Sequence, residues 1–308
     1  MAGTGRGGGG ILYPGRLPRF RRVAAPTEIA HLVRWFWLPR WDLSDGVTSR
    51  QSVLAFPASN LVVEAGGVSV VGPTTRISHR DLTGRGWAVG MLLRPAGLAA
   101  LVPDPGALRD AERALDAPEL HGAVVAAVAE EERRAEEELV AEGNRQAEDG
   151  HGSMHMRDAE SRRGADEPAV VPTAPPARTP PPVAAATRWW RSGGEADLDD
   201  GARLANAMER AVADDASIVR IEDIAGRLGV SVRTVQRLAR RYVGLPPLTI
   251  IRRYRLQEAA DRLRKDPGWT IARVAADLGY ADHAHLTADF TATLGVSPSE
   301  YRASIDGT

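Results

Sequence analysis

Apolar positions along the chain follow two different periods, and the change of period marks out its parts. From residue 11 to about residue 103, short β-prone runs at 53–56, 61–64, 68–71 and 87–93 are bounded by glycine, proline and asparagine. The Ala65-Gly66-Gly67 step between two of these runs is a hairpin signal. This texture predicts a small antiparallel barrel or sandwich, with a short helix at 26–33. From about 106 to 142 the period lengthens: Val124, Val125, Val128, Ala135 and Leu139 recur at helical spacing. Glu130 with Arg134, and Arg134 with Glu138, supply four-residue charge pairs on the wet side. Such a helix either packs on the β domain or forms a seam with a second copy of the chain.

Periodicity vanishes between 143 and 194, where glycine, proline, alanine and charge surround PTAPPARTPPP. That composition predicts a disordered linker, extended where prolines cluster. Trp189 and Trp190 close it and can staple it to a neighbouring domain. Residues 1–10, rich in glycine, read as disordered; no Lys-Ser or Lys-Thr pair and no strand accompanies them, so a phosphate-binding loop is excluded. The fold class is therefore α+β, with a β-rich domain at 11–142, a linker at 143–194 and an all-α domain at 195–308.

Helical spacing resumes at 199–213, with Leu204, Met208 and Val212 on one side. The segment 221–242, IEDIAGRLGVSVRTVQRLARRY, then gives a short amphipathic helix, a tight turn at Gly229 and Ser231, and a second helix, which is a helix-turn-helix pattern. The second helix puts Val235 and Leu238 on one face and Arg233, Gln236, Arg237, Arg240 and Arg241 on the other, donors suited to phosphates and base edges in a major groove. Gly244 caps it, and another helix spans about 248–265 with Ile251, Ala259 and Leu263 in its buried stripe.

The pattern then repeats. Ile271, Val274, Ala275, Leu278 and Gly279 stand 50 residues after Ile221, Ile224, Ala225, Leu228 and Gly229. With one residue inserted, Leu286, Leu294, Gly295 and Pro298 answer Val235, Val243, Gly244 and Pro247. Two helix-turn-helix units joined by one helix suit successive major grooves roughly 34 Å apart.

Charge sharpens this picture. The chain carries a formal net charge of −1, so cations for DNA must be local, and 231–255 holds seven arginines and no acid. Arg252, Arg253 and Arg255 are either a solvated helix face or an added phosphate patch. Cysteine is absent, which removes disulfides and thiolate chemistry and fits a reducing, cytoplasmic setting. No apolar run is long enough to span a bilayer and the first residues lack the core of a signal peptide.

Other chemistry finds little support. Trp35, Phe36, Trp37 and Trp41 suggest a ligand cage but read better as core aromatics. His31 and His79 are far apart, and His151 with His155 lacks the following Glu of a helical zinc motif, so neither a metal nor a cofactor is expected. No paired carboxylates or Ser/His/Asp set precedes the linker, so no catalytic residue is assigned and an N-terminal enzyme fused to a DNA-binding module is the weak alternative.

The run 221–302 resembles the C-terminal DNA-binding domain of the AraC/XylS family of transcription regulators, with LGYADHAHLTADF and GVSPSEYR matching its second unit and exit, over about 100 residues, roughly a third of the chain. RWDL and LLRPAGL are similar to the uncharacterised domain often found ahead of it. The resemblance implies base reading by Arg233, Gln236 and Arg237, with His283 the candidate in the second unit, and phosphate contacts by Ser231, Thr234, Arg240, Arg241 and Thr287. His285, which precedes Leu286, reads as partly packed. The second helix departs from the family in exposing Ala284, Ala288, Thr291 and Ala292 with Asp289 in place of a basic residue, and Ala239 replaces the usual core aromatic of the first unit. Double-stranded DNA, a small-molecule effector, RNA polymerase and a second copy of the chain are the candidate partners. A protein-interaction adaptor working through the depleted second unit is the other alternative.

Overall fold

The computed structural model describes residues 19–53, 57–74, 78–152, 178–193, 198–266 and 268–306. The expectations for residues 1–10, for 54–56 and for the PTAPPARTPPP core of the linker lie partly or wholly outside these residues, as does His155.

The N-terminal half is built from antiparallel strands β1 (Arg19–Ala24), β2 (Val33–Asp42), β3 (Thr48–Val53), β4 (Asn60–Glu64), β5 (Gly67–Val71), β6 (Ser78–Thr83), β7 (Arg85–Leu93) and β8 (Glu112–Ala114). Six of them form one sheet in the order β1-β2-β7-β4-β5-β8, while β3 and β6 make a separate ribbon. The sheet ends at β1 and β8 without closing, so the barrel expected as one option is not formed, and helices cover the open sheet instead. Glu64 pairs with Gly67 across a two-residue loop, which is the hairpin expected at Ala65-Gly66-Gly67. Gly67 takes φ +146°, a conformation side chains resist.

The aromatic cluster sits on β2 and serves the sheet. A Cβ at Gly90 would drive into the indole of Trp37, and one at Gly86 into that of Trp41, so both rings lie flat on glycines of β7. Trp37 Nε1 donates to Asn60 Oδ1 at 3.0 Å and Trp41 Nε1 to Thr83 O at 3.2 Å, which satisfies their polar edges. Phe36 is fully buried on the opposite face with Leu38, Leu61 and Met91. The indoles pack against glycine and backbone rather than around a shared space.

Helix α1 (Pro95–Leu101) follows β7 directly. The long helix α2 (Pro118–Gly152) begins later than the expected 106, because a 3-10 turn at Pro105–Leu108, Asp110 at φ +57° and strand β8 take up the intervening residues. Leu120, Val124 and Val128 are buried, each contributing about 1.5–3 kcal/mol, and beyond them Leu139 and Val140 stand exposed. Glu131 pairs with Arg21 and Arg40 of the sheet at 2.8 and 2.7 Å, fixing the helix where its apolar stripe ends. The span read as linker is partly helical. Helix α2 runs on to Gly152, and α3 (Pro181–Ser192) buries Val183, Ala185, Ala186 and Trp190 against α2 and the Thr27–Ile29 turn. Small alanines give α3 a face that approaches closely, and Trp190 is the staple, directed to the N-terminal domain.

The C-terminal half comprises α4 (Asp200–Asp214), α5 (Ile221–Leu228), α6 (Val232–Leu238), a π-helical turn at Ala239–Val243, α7 (Pro247–Lys265), α8 (Ile271–Asp277), α9 (His283–Leu294) and α10 (Pro298–Asp306). Its hydrophobic interior divides within α7. Residues up to Tyr254 share one core with the N-terminal sheet, whereas Leu256, Leu263, Val274, Leu278, Leu286, Phe290 and Tyr301 belong to a second core.

Polar contacts lock the N-terminal domain onto the first unit. Glu209 on α4, nearly buried, accepts from Arg34 Nη1, Arg94 Nη1 and Tyr254 Oη, each at 2.6 Å. Asn206, one turn earlier, accepts from Ala96 N–H at 3.0 Å and donates to His31 O at 2.7 Å. Gly244 fits against Pro105 and Gly106, where a Cβ would meet Pro105 O at 2.5 Å.

Candidate nucleic-acid interface

The first helix-turn-helix is shaped by local chemistry. Gly229 adopts φ +66° to end α5, and Ser231 caps α6 by accepting from Thr234 N–H at 3.1 Å. Val235, Leu238, Ala239, Tyr242 and Val243 are buried, which leaves Arg233, Gln236, Arg237, Arg240 and Arg241 exposed. Docking of the N-terminal domain reaches α4, α7 and the end of the π-helical turn, so this face stays open. Three consecutive rungs of guanidinium and amide donors thus follow one helix edge, the arrangement a phosphate backbone and base edges accept.

The expected residues do not all present their groups alike. Ser231 and Thr234 hydroxyls lie 3.0 Å apart and serve the cap, which leaves one hydroxyl proton of the pair for an outside acceptor. Arg241 turns back over the Tyr242 ring at 5.2 Å and reaches 3.9 Å from Asp199 Oδ2. Asp199 was not singled out in the sequence: it caps α4 through Ala202 N–H at 2.6 Å and accepts the Tyr242 hydroxyl at 2.9 Å. The Ala202 bond, followed by the Tyr242 bond, holds its carboxyl below the usual carboxylate range, while burial pushes the Tyr242 phenol up. A capping-residue signal before α4 was available, since aspartate precedes the helical period.

The second unit repeats the frame with other side chains. Gly279 takes φ +68°, Asp282 caps α9 through His285 N–H at 2.7 Å, and Leu286, Phe290 and Leu294 are buried. The exposed positions of α9 include His283, Ala284, His285, Ala288, Thr291 and Ala292. Thr287 spends its hydroxyl proton on His283 O at 2.8 Å. The His285 ring meets Tyr280 edge-on at 5.2 Å yet remains exposed, so it packs on one side only. Asp289 accepts from the Tyr280 hydroxyl at 3.1 Å, and Arg255 lies over the same ring at 4.1 Å.

The arginine run on α7 divides by helical position. Arg252 is exposed, Arg253 is buried at 6% relative exposure, and Arg255 is half-buried on Tyr280. Burial lowers the affinity of Arg253 and Arg255 for their protons. The run is therefore neither a uniform solvated face nor a phosphate patch. Among the described residues no group of three or more His, Cys, Asp or Glu is placed to hold a metal ion, and no helix is long and apolar enough to cross a membrane.

Two helix-turn-helix units sharing a connecting helix define the class of double helix-turn-helix DNA-binding modules. Residues 224–304 match the family described as Helix-turn-helix domain, and residues 21–111 match Domain of unknown function (DUF6597). The chain is 32% identical over 114 residues to the HTH-type transcriptional activator RhaS of Escherichia fergusonii, covering 37% of this chain and 41% of that protein. It is also 32% identical over 99 residues to an AraC-like transcription regulator of Streptomyces lividans, covering 32% of each. The chain thus spans less than half the length of the curated relatives it matches. A solved structure of ToxT from Vibrio cholerae O395 aligns over 89% of this chain and 99% of its own, at 13% identity and a TM-score of 0.43. Residues 224–304 are thus an AraC-type helix-turn-helix domain, with a DUF6597 domain ahead of it at 21–111.

Proposed function

We propose that the chain is a cytoplasmic, sequence-specific transcription regulator whose first helix-turn-helix dominates DNA recognition and whose N-terminal domain binds a small effector or mediates dimerisation. The carrying observation is the contrast between the two recognition helices: α6 with the π-helical turn that continues it exposes Arg233, Gln236, Arg237 and Arg240, whereas the exposed positions of α9 hold no arginine or lysine. Arg233, Gln236 and Arg237 read bases in this account, with Arg240 on phosphate and Arg241 shared between phosphate and Asp199. His283 offers the second unit a base contact, and Ser231 or Thr234 adds one neutral contact to the backbone, while Thr287 reaches a phosphate only by giving up its bond to His283 O. A titration with labelled operator tests it: Arg237→Ala should cost about 1–3 kcal/mol on the preferred site if the guanidinium is bidentate to guanine. Equal losses from Arg237→Ala and Thr287→Ala would sink the asymmetry.

The cation-free face of α9 also supports a second reading, in which that unit docks on RNA polymerase or another regulator. DNA binding that survives acidic substitutions across the exposed face of α6 would favour it.

A further inference from the structure

One acid stands among the cations at the far end of the first recognition helix. Asp199 caps α4 by accepting from Ala202 N–H at 2.6 Å, and it takes the Tyr242 hydroxyl at 2.9 and 3.2 Å. Arg241, the neighbour of Tyr242 in the π-helical turn, lies over that phenol ring at 5.2 Å and brings Nη2 to 3.9 Å from Asp199 Oδ2. Packing holds this arrangement: Tyr242 is buried, Gly244 N–H closes the turn on Ala239 O at 2.9 Å, and a Cβ at Gly201 would collide with the Tyr242 hydroxyl. The two charged groups themselves stay in water, with side-chain exposures of 69% for Arg241 and 60% for Asp199. Asp200, next in the chain, is turned instead to Arg203 at 3.0 Å. Among the described residues Arg233, Arg237 and Arg240 pair with no carboxylate, so Arg241 is the exception on this face.

An exposed ion pair of this length is weak, and a DNA phosphate offers the same guanidinium a stronger acceptor. A carboxylate fixed beside a phosphate-facing arginine also repels the phosphate that approaches it. The bonds from Ala202 and Tyr242 hold the Asp199 carboxyl below the usual carboxylate range, so it carries its charge at neutral pH. We propose that Asp199 is a positioning residue of the DNA interface, an internal anion that competes with DNA phosphate for Arg241. The proposal rests on the reading of the first unit as the main DNA reader and gives that unit a built-in restraint. Arg233, Arg237 and Arg240 meet DNA with their charge unspent, whereas Arg241 reaches a phosphate only by leaving Asp199. The acid sits on the same helix as Asn206 and Glu209, which hold the N-terminal domain, so the docked chain carries the restraint with it.

Fluorescence anisotropy titrations of the full chain on a short duplex of random sequence, repeated over a series of salt concentrations at neutral pH, test the competition. Asp199→Asn keeps a capping acceptor and removes the charge. It should steepen the slope of log binding constant against log salt by about 0.5–0.9, so that affinity falls about two- to fourfold further than in the wild type between about 50 and 200 mM salt. Arg241→Gln should lower the slope by less than Arg240→Ala does in the wild-type background, and by about 0.9 in the Asp199→Asn background. Asp81→Asn, the same change of charge on the β3–β6 ribbon, should leave the slope as it is. Thermal melts confirm that the variants are folded. An unchanged slope in folded Asp199→Asn, an equal steepening in Asp81→Asn, or identical effects of Arg241→Gln in the two backgrounds overturns the proposal. Arg240→Ala separates the two failures: a drop of about 0.9 there leaves the DNA reading standing when the Asp199 arms fail, and no drop overturns that reading along with the proposal.

Discussion

Replacing Glu209 by alanine should uncouple the N-terminal domain from the first helix-turn-helix. The carboxylate accepts three bonds of 2.6 Å, from Arg34, Arg94 and Tyr254, with side-chain exposures of 5% for Glu209, 20% for Arg34 and 15% for Arg94. Each charge-assisted bond is worth about 1.5–3 kcal/mol taken singly. The full sum is not lost, because Arg94 keeps its 2.7 Å bond to Ala30 O and Arg34 keeps its place over Trp35. Two guanidiniums nonetheless remain near the interface without their carboxylate, and stripping one partner from a buried pair costs about 3–5 kcal/mol. With a urea dependence near 3 kcal/mol per M, the unfolding midpoint should drop by about 1 M or more. Urea titration followed by tryptophan fluorescence, which reports the N-terminal sheet and the helix packed on it through six of the seven tryptophans (all but Trp269), and by far-ultraviolet circular dichroism, which reports the helices, provides the assay. The wild type should unfold with coincident transitions, and the variant should lose the fluorescence transition first. A change below about 1 kcal/mol with coincident transitions would refute the lock.

Further tests address other parts of the fold and site. Gly90→Ala should destabilise the sheet by about 1–3 kcal/mol or more, since the added methyl has to displace the Trp37 indole, and a thermal melt checks it. Arg240→Ala should reduce the slope of log binding constant against log salt by about 0.9, and Thr287→Ala should leave the slope unchanged. Asp199 is depressed by its bonds from Ala202 and Tyr242, so its contribution to stability is present above the unfolded value of about 3.9 and is lost as pH falls through the lower folded value. Asp199→Asn should therefore show a smaller acid-induced loss of stability below about pH 4 than the wild type, and identical acid profiles would remove the role assigned to that carboxylate.

Local signals made the C-terminal half legible. Gly229, Gly244, Gly279 and Gly295 all adopt φ between +66° and +80° at helix ends, so the glycines that marked the repeat in the sequence are the ones its geometry requires. The strands β4, β5 and β7 were similarly visible from their apolar runs and the hairpin loop. Strand β2 was read as an aromatic cluster because Trp37 and Trp41 find their glycines on β7, far along the chain. Strand β8 is three exposed residues that pair with β5 and carry no apolar pattern. Helix α3 was hidden by the prolines around it, although its alanine face packs on α2. Glu209 was least legible, a single acid on an amphipathic helix whose partners lie 175, 115 and 45 residues away. Buried charge of that kind depends on which domains meet, and no period in the chain reports it.

The most direct test of the lopsided DNA reader is selection of bound duplexes from a random pool by the full chain. The account predicts one strongly specified half-site, lost in Arg237→Ala, and a second, tolerant half-site roughly one helical turn away. Two half-sites of equal information content, or a preferred sequence unchanged by Arg237→Ala, would contradict it.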